Sequence, residues 1–162
     1  MLDHLLVPLD GSVLAEKALP KALQIVAPGG RITLVLVVDI PQLPISGYDL
    51  MSPTSPWTTE GTVNEIVARS RSYLEAMADS IRNQGLHAGV LVEYGDPATA
   101  VVTVARERKV DAIIMSTHGR SGLRRWLFGS VTRRVLESAP CPVYVIPAHE
   151  PASAEAGVAR AG

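Results

Sequence analysis

The chain has 162 residues, 47% of them apolar, with 15 basic against 16 acidic side chains and a formal charge of −1. That length suits one compact domain whose core needs no disulfide or structural metal, and the lone Cys141 points to a reducing compartment, with the cytoplasm expected. The near-neutral balance argues against bulk binding to nucleic acid or a membrane surface, and the longest continuous apolar run, Leu34 to Val38, is far too short for a membrane span. The opening residues carry no leader-like charged stretch followed by an apolar one.

Five apolar runs rich in branched residues predict strands: His4 to Leu9, Arg31 to Val38, Ala88 to Glu93, Val110 to Met115 and Val143 to Ile146. LVLVV and AIIM are continuously apolar, the pattern of parallel strands covered on both faces. Helices are predicted between them. The first follows Ser12 as cap and carries Ala15, Ala18, Leu19, Ala22, Leu23 and Val26 at three-and-four spacing up to Pro28-Gly29-Gly30, with a kink or early break at Pro20. The second starts near Thr62, where Thr62 and Glu65 have capping-box spacing, and runs past Ile66, Tyr73, Met77 and Ile81 to Gly85. The third is capped by Asp96 with Pro97 in its first turn and carries Ala100, Val101, Val104 and Ala105. The fourth opens at Gly129-Ser130 and uses Val131, Val135 and Leu136 before Pro140. Alternation of strand and helix implies an open α/β domain over residues 1–147 with right-handed crossovers. Residues 40–61, rich in Pro and Gly, form a long connection of the kind that serves as a flap, and residues 148–162 suit a disordered tail.

Ligands of open α/β sheets bind beyond the carboxyl ends of the strands. At the end of the first strand stands Asp10, which suits either hydrogen bonding to a ribose or base amine, or simple capping together with Ser12. The fourth strand ends in Met115-Ser116-Thr117-His118-Gly119, and a loop leads on to Gly129-Ser130-Val131-Thr132. Glycines that admit close backbone approach, hydroxyls and a helix amino end together favour an anion. Arg120, Arg124, Arg125, Arg133 and Arg134 fall in this stretch with no acid among them, as phosphate-directed groups or as a solvated face. No P-loop, dinucleotide glycine fingerprint or nucleophile elbow is present. No feature orders His118 with Ser116, Ser121 and Asp111 as a triad, and Cys141, between two prolines, reads as structural.

Gly119 followed by nine residues and Gly129-Ser130, with LLVPLDGS at the start, VVD after the second strand, GDP after the third and APCPVYVIP at the end, resembles the universal stress protein family from about Leu2 to Pro147. Ser116 stands where the family's signature has its first glycine. The resemblance implies an open five-stranded parallel sheet with helices on both faces, Rossmann-like and similar to the adenine nucleotide alpha hydrolases. In the nucleotide-binding branch it implies ATP, alone or with Mg2+. Carried over by motif, Pro8, Leu9, Asp10 and Val37 would line adenine and ribose beside Met115 and Ser116. Gly119, Gly129, Ser130, Val131 and Thr132 would hold the phosphates, with Arg120 in the same loop. It also implies a homodimer through Val143, Tyr144, Val145 and Ile146, in a stress-response role as a nucleotide-dependent binding or regulatory module. Weak ATP hydrolysis or phosphoryl transfer at the same site, and a dimer that binds no nucleotide, are the alternatives. A nucleic-acid patch at Arg124-Arg125-Trp126-Leu127-Phe128 is the weakest reading, since Leu127 and Phe128 suit packing against the sheet.

Overall fold

The computed structural model describes residues 1–38, 60–117 and 129–147, leaving aside the side chains of 60–63. The connection expected at 40–61 therefore falls largely outside the described residues, as do His118, Gly119, Arg120, the 121–128 stretch and the tail.

Strands β1 (Leu2–Leu9), β2 (Val26–Val38), β3 (His87–Tyr94), β4 (Ala112–Thr117) and β5 (Val143–Pro147) form one sheet in the order β3-β2-β1-β4-β5. Every pairing is parallel. Side chains alternate across the sheet, so its continuously apolar strands supply two cores. Leu5, Val7, Ile32, Leu34, Ala112 and Ile114 pack with α2 (Ala18–Ile25) and α3 (Glu60–Arg82) on one face. Leu6, Val35, Ile113 and Met115 meet α4 (Pro97–Glu107) and α5 (Ser130–Ser138) on the other. Leu5, Leu6, Ile32, Leu34, Ile113 and Ile114 are wholly buried, and each such side chain contributes roughly 1.5–3 kcal/mol of transfer free energy. The expected fold class is the observed one.

Several boundaries differ from expectation. The first helix is two: α1 (Val13–Glu16) and α2, joined at Lys17. Pro20 lies in the first turn of α2, where its missing N–H is not needed. It could not have donated to Glu16 in a continuous helix, so the break falls upstream. The Pro28-Gly29-Gly30 stop lies inside β2, which begins at Val26 because Val26 pairs with Leu2; the register then jumps to His4–Arg31. Gly29 takes φ 71° in this bulge, and a Cβ on Gly30 would come within 2.8 Å of Ala27 O. The second predicted helix, α3, starts at Glu60 rather than near Thr62. It buries Leu74 and Ala78, whereas Ile66 is 43% exposed. β4 starts at Ala112 rather than Val110, since Lys109 turns through the left-handed region at φ 49° as α4 ends. Leu136, expected in the core, is 39% exposed, and Thr132 and Val135 are the buried residues of α5. Asp96 and Pro97 cap α4 as predicted, the Thr99 amide donating to Asp96 Oδ1 at 2.9 Å.

Candidate functional site

From β1 the chain runs outward through β2 to β3, then returns past β1 to β4 and β5. The two directions of travel part between β1 and β4, and beyond the carboxyl ends of those strands lies a cavity of about 350 Å³. Pro8, Leu9 and Asp10 of β1 and its following turn, Val37 of β2, Met115 and Ser116 of β4, and Gly129, Ser130, Val131 and Thr132 at the start of α5 all line it. These are the predicted site residues within the described part of the chain, and the structure brings all of them to one place. Gly119 and Arg120 lie outside the described residues.

Leu14, Ala15, Val35, Pro97, Val101 and Thr117 also line the cavity and were not anticipated. All but Thr117 are apolar and carry no chemical signal in a sequence. Only the register of β2 and the approach of α4 could have found Val35, Pro97 and Val101. Thr117 sits one residue past Ser116 and could have been read as a further hydroxyl.

The polar groups divide into those engaged by the fold and those left open. Asp10 is exposed, and its Oδ1 accepts from the Ser12 amide at 2.9 Å, while Ser12 Oγ accepts from the Ala15 amide at 3.1 Å and caps α1. Capping and an accessible carboxylate thus coexist. Ser116 Oγ donates to the Leu14 carbonyl at 2.6 Å, tying β4 to α1, an interaction worth about 1 kcal/mol. Its backbone is regular strand without positive φ, so the Cβ absent from the family's glycine is accommodated without strain.

Two features are open. Gly129 stands at the N-cap of α5 with no side chain to receive the first-turn amides. Thr117, only 8% exposed, has a buried hydroxyl with no hydrogen-bond partner among the described residues, a costly arrangement at the wall of a cavity. The two described arginines of the basic stretch are not aimed at this space as free cations. Arg133 Nε donates to Glu137 at 2.9 Å, and Arg134 donates to Asp96 at 2.6 Å, fastening α5 to the start of α4. Hydrogen bonds from Thr99 and then from Arg134 hold the Asp96 carboxyl down at about 2. Asp111 is at the amino end of β4, its Oδ2 accepting the Asp3 and His4 amides at 2.7 and 2.8 Å, so it cannot act with Ser116 at the other end. Burial raises the Cys141 thiol, consistent with a structural residue. Among the described residues no metal-binding group of His, Cys, Asp or Glu occurs, and no helix is long and apolar enough to cross a membrane.

A family model described as the universal stress protein family matches residues 1–147. The chain belongs to the universal stress protein family. A curated relative, universal stress protein MJ0531 of Methanocaldococcus jannaschii, is 31% identical over 147 residues, covering 88% of this chain and 80% of its own. The solved structure of MJ0577 from the same organism superposes with a TM-score of 0.72 at 23% identity, over 93% of this chain and 98% of that one. A universal stress protein in complex with cAMP matches with a TM-score of 0.62 at 21% identity, covering 91% of this chain and 98% of its own. A family protein from Arabidopsis thaliana with AMP bound matches at 0.60 and 18%, covering 89% and 90%. At these identities the three structures share the universal stress protein fold.

Proposed function

We propose that the chain is a nucleotide-binding member of the family that takes ATP in the cavity between β1 and β4 and acts as a nucleotide-dependent binding module in the stress response. The observation that carries this reading is the meeting, in one cavity, of an apolar wall with the uncapped amino end of α5. Val35, Val37, Leu9 and Met115 offer a surface suited to adenine, and Asp10 lies within the same lining, suited to a ribose hydroxyl. The amides of Ser130, Val131 and Thr132 suit phosphate oxygens, and the unpartnered Thr117 hydroxyl suits a polar group of the ligand. Gly119 and Arg120 would complete the phosphate side, and Mg2+ would reduce phosphate charge where it accompanies ATP. The family structures with cAMP and AMP support adenine as the base.

The half-buried lone thiol of Cys141 supports a cytoplasmic setting. The last strand, β5, forms the sheet edge with Tyr144 exposed, which supports a homodimer through Val143, Tyr144, Val145 and Ile146.

Calorimetric titration with ATP, ADP, AMP and cAMP in Mg2+ tests the reading. Micromolar ATP affinity, about 8 kcal/mol of binding free energy, is expected. A Cβ built on Gly129 meets no atom of the described residues within 4 Å and φ there is −58°, so Gly129→Val projects into the proposed ligand space without backbone strain. It should weaken ATP at least ~100-fold while costing about 1 kcal/mol of stability through the poorer cap. An unchanged ATP affinity in this variant would defeat the proposal.

A further inference from the structure

At the opposite end of the strands the register assembles a second set of groups. His4 of β1 pairs with Arg31 of β2, and Arg31 pairs with His87 of β3. In-register residues of parallel strands project to the same face, so two imidazoles flank a guanidinium in one row across the sheet. Arg108, the C-cap of α4, approaches this row from the helix layer, and its charge together with that of Arg31 acts on the His4 ring. The next row on the same face is Leu6, Thr33 and Gly89, and Gly89 leaves its place empty: a Cβ there would meet only Thr33 Oγ1, at 3.9 Å.

The result is a solvent-facing hollow of about 430 Å³ whose lining includes Arg31, Arg82, His87 and Arg108 and no acidic side chain. Arg82 is already occupied, bound to Glu75, Asp79 and the Ala88 carbonyl. Among the described residues Arg31 and Arg108, which line the same hollow, form no ion pair. Thr33, buried in the floor, is held by a 2.8 Å hydrogen bond between its hydroxyl and His4 Nε2. Glu75 and Asp79 are engaged by Arg82, and Asp111, which also acts on the His4 ring, accepts the Asp3 and His4 amides of β1 and is not part of the lining.

We propose that this amino-end hollow is a second ligand site, distinct from the nucleotide cavity, that takes a small phosphoryl group between Arg31, Arg108 and His87. Donors come from the sheet row and from the helix end, and a tetrahedral oxyanion offers several oxygens to donors on separate elements. The volume admits inorganic phosphate or a small phosphomonoester. The carboxyl-terminal dipole of α4 opposes an anion there, and Arg108 stands at that end to offset it.

Titration of the full-length, isotope-labelled protein with inorganic phosphate and, separately, with glycerol 3-phosphate, at about pH 6 and constant ionic strength, decides the matter by NMR. Saturable shifts at Thr33, Gly89 and the His4 ring are expected, with a dissociation constant of about 1 mM or tighter. Burial, Arg31 and Arg108 hold the free His4 ring below its ordinary value against the opposing pull of Asp111, and a bound anion should move it upward. The exposed double variant Arg31→Gln/Arg108→Gln should weaken binding at least about tenfold, whereas Gly129→Val should leave it unchanged. Tighter binding of phosphate than of glycerol 3-phosphate identifies the free ion as ligand, and the reverse identifies a phosphomonoester. Shifts that never saturate, shifts confined to Ser130–Thr132, or an affinity untouched by the double variant would each overturn the proposal.

Discussion

The two ends of the sheet handle polarity in opposite ways. At the carboxyl end, charges are engaged by the fold: Arg134 with Asp96, and Arg133 with Glu137. Apart from the accessible Asp10 carboxylate, what remains open in the described lining is neutral, namely backbone amides and the Thr117 hydroxyl against an apolar wall. At the amino end the balance reverses, with the Asp3 and His4 amides of β1 satisfied by Asp111 and the Arg31 and Arg108 guanidiniums without an acid partner among the described residues. A pocket built from oriented amides and apolar surface can select a shaped, partly apolar ligand. A cluster of mobile cations selects for charge and responds to salt.

The largest expected effect would break the comparison by removing the frame common to both ends. Ile114, wholly buried in β4 between them, should cost about 2–5 kcal/mol as Ile114→Ala, and denaturant unfolding should show ligand binding at both ends failing together. Thr117→Val is smaller and of opposite sign. Replacing an unpartnered buried hydroxyl by a methyl of similar shape should stabilise the ligand-free chain by about 1 kcal/mol, yet weaken nucleotide binding, as read by melting temperature with and without ATP.

The smallest effects distinguish the ends by pH. The His4 ring is held below 6.5, so its unfolded form takes up protons first. Its contribution is complete above that value and declines as pH falls below it. Asp96, held at about 2, contributes fully above its ordinary 3.8 and loses that contribution as pH falls through 2. His4→Gln should therefore flatten the stability profile just below pH 6.5, and Asp96→Asn should flatten it between 3.8 and 2, each measured by urea unfolding across pH.

The carboxyl end was far more legible in the sequence than the amino end. Asp10, Ser116 and Gly129–Thr132 sit in short contiguous motifs at strand ends, where local order and chemistry coincide. His4, Arg31, His87 and Arg108 are scattered, and only the strand register makes them neighbours. The same reason hid the start of β2, because Pro28-Gly29-Gly30 is a sound local stop signal that the pairing of Val26 with Leu2 overrides. Periodicity found most of the buried helix positions, among them Ala18, Ala22, Ile81, Val101, Val104, Ala105 and Val135, but in α3 Ile66 fits the pattern and is exposed while Leu74 and Ala78 are covered.

Strand β1 is synthesised first yet lies at the centre of the sheet, with β2 on one side and β4 on the other. Its second edge stays uncovered until the ribosome has delivered the segment beginning at Asp111, which ties back to Asp3 and His4. A nascent or proteolytically shortened chain that lacks β4 thus offers neighbouring polypeptides a strand edge carrying Leu5 and Leu6, the geometry from which intermolecular β pairing starts. The late-arriving β4 is what closes the second edge of β1.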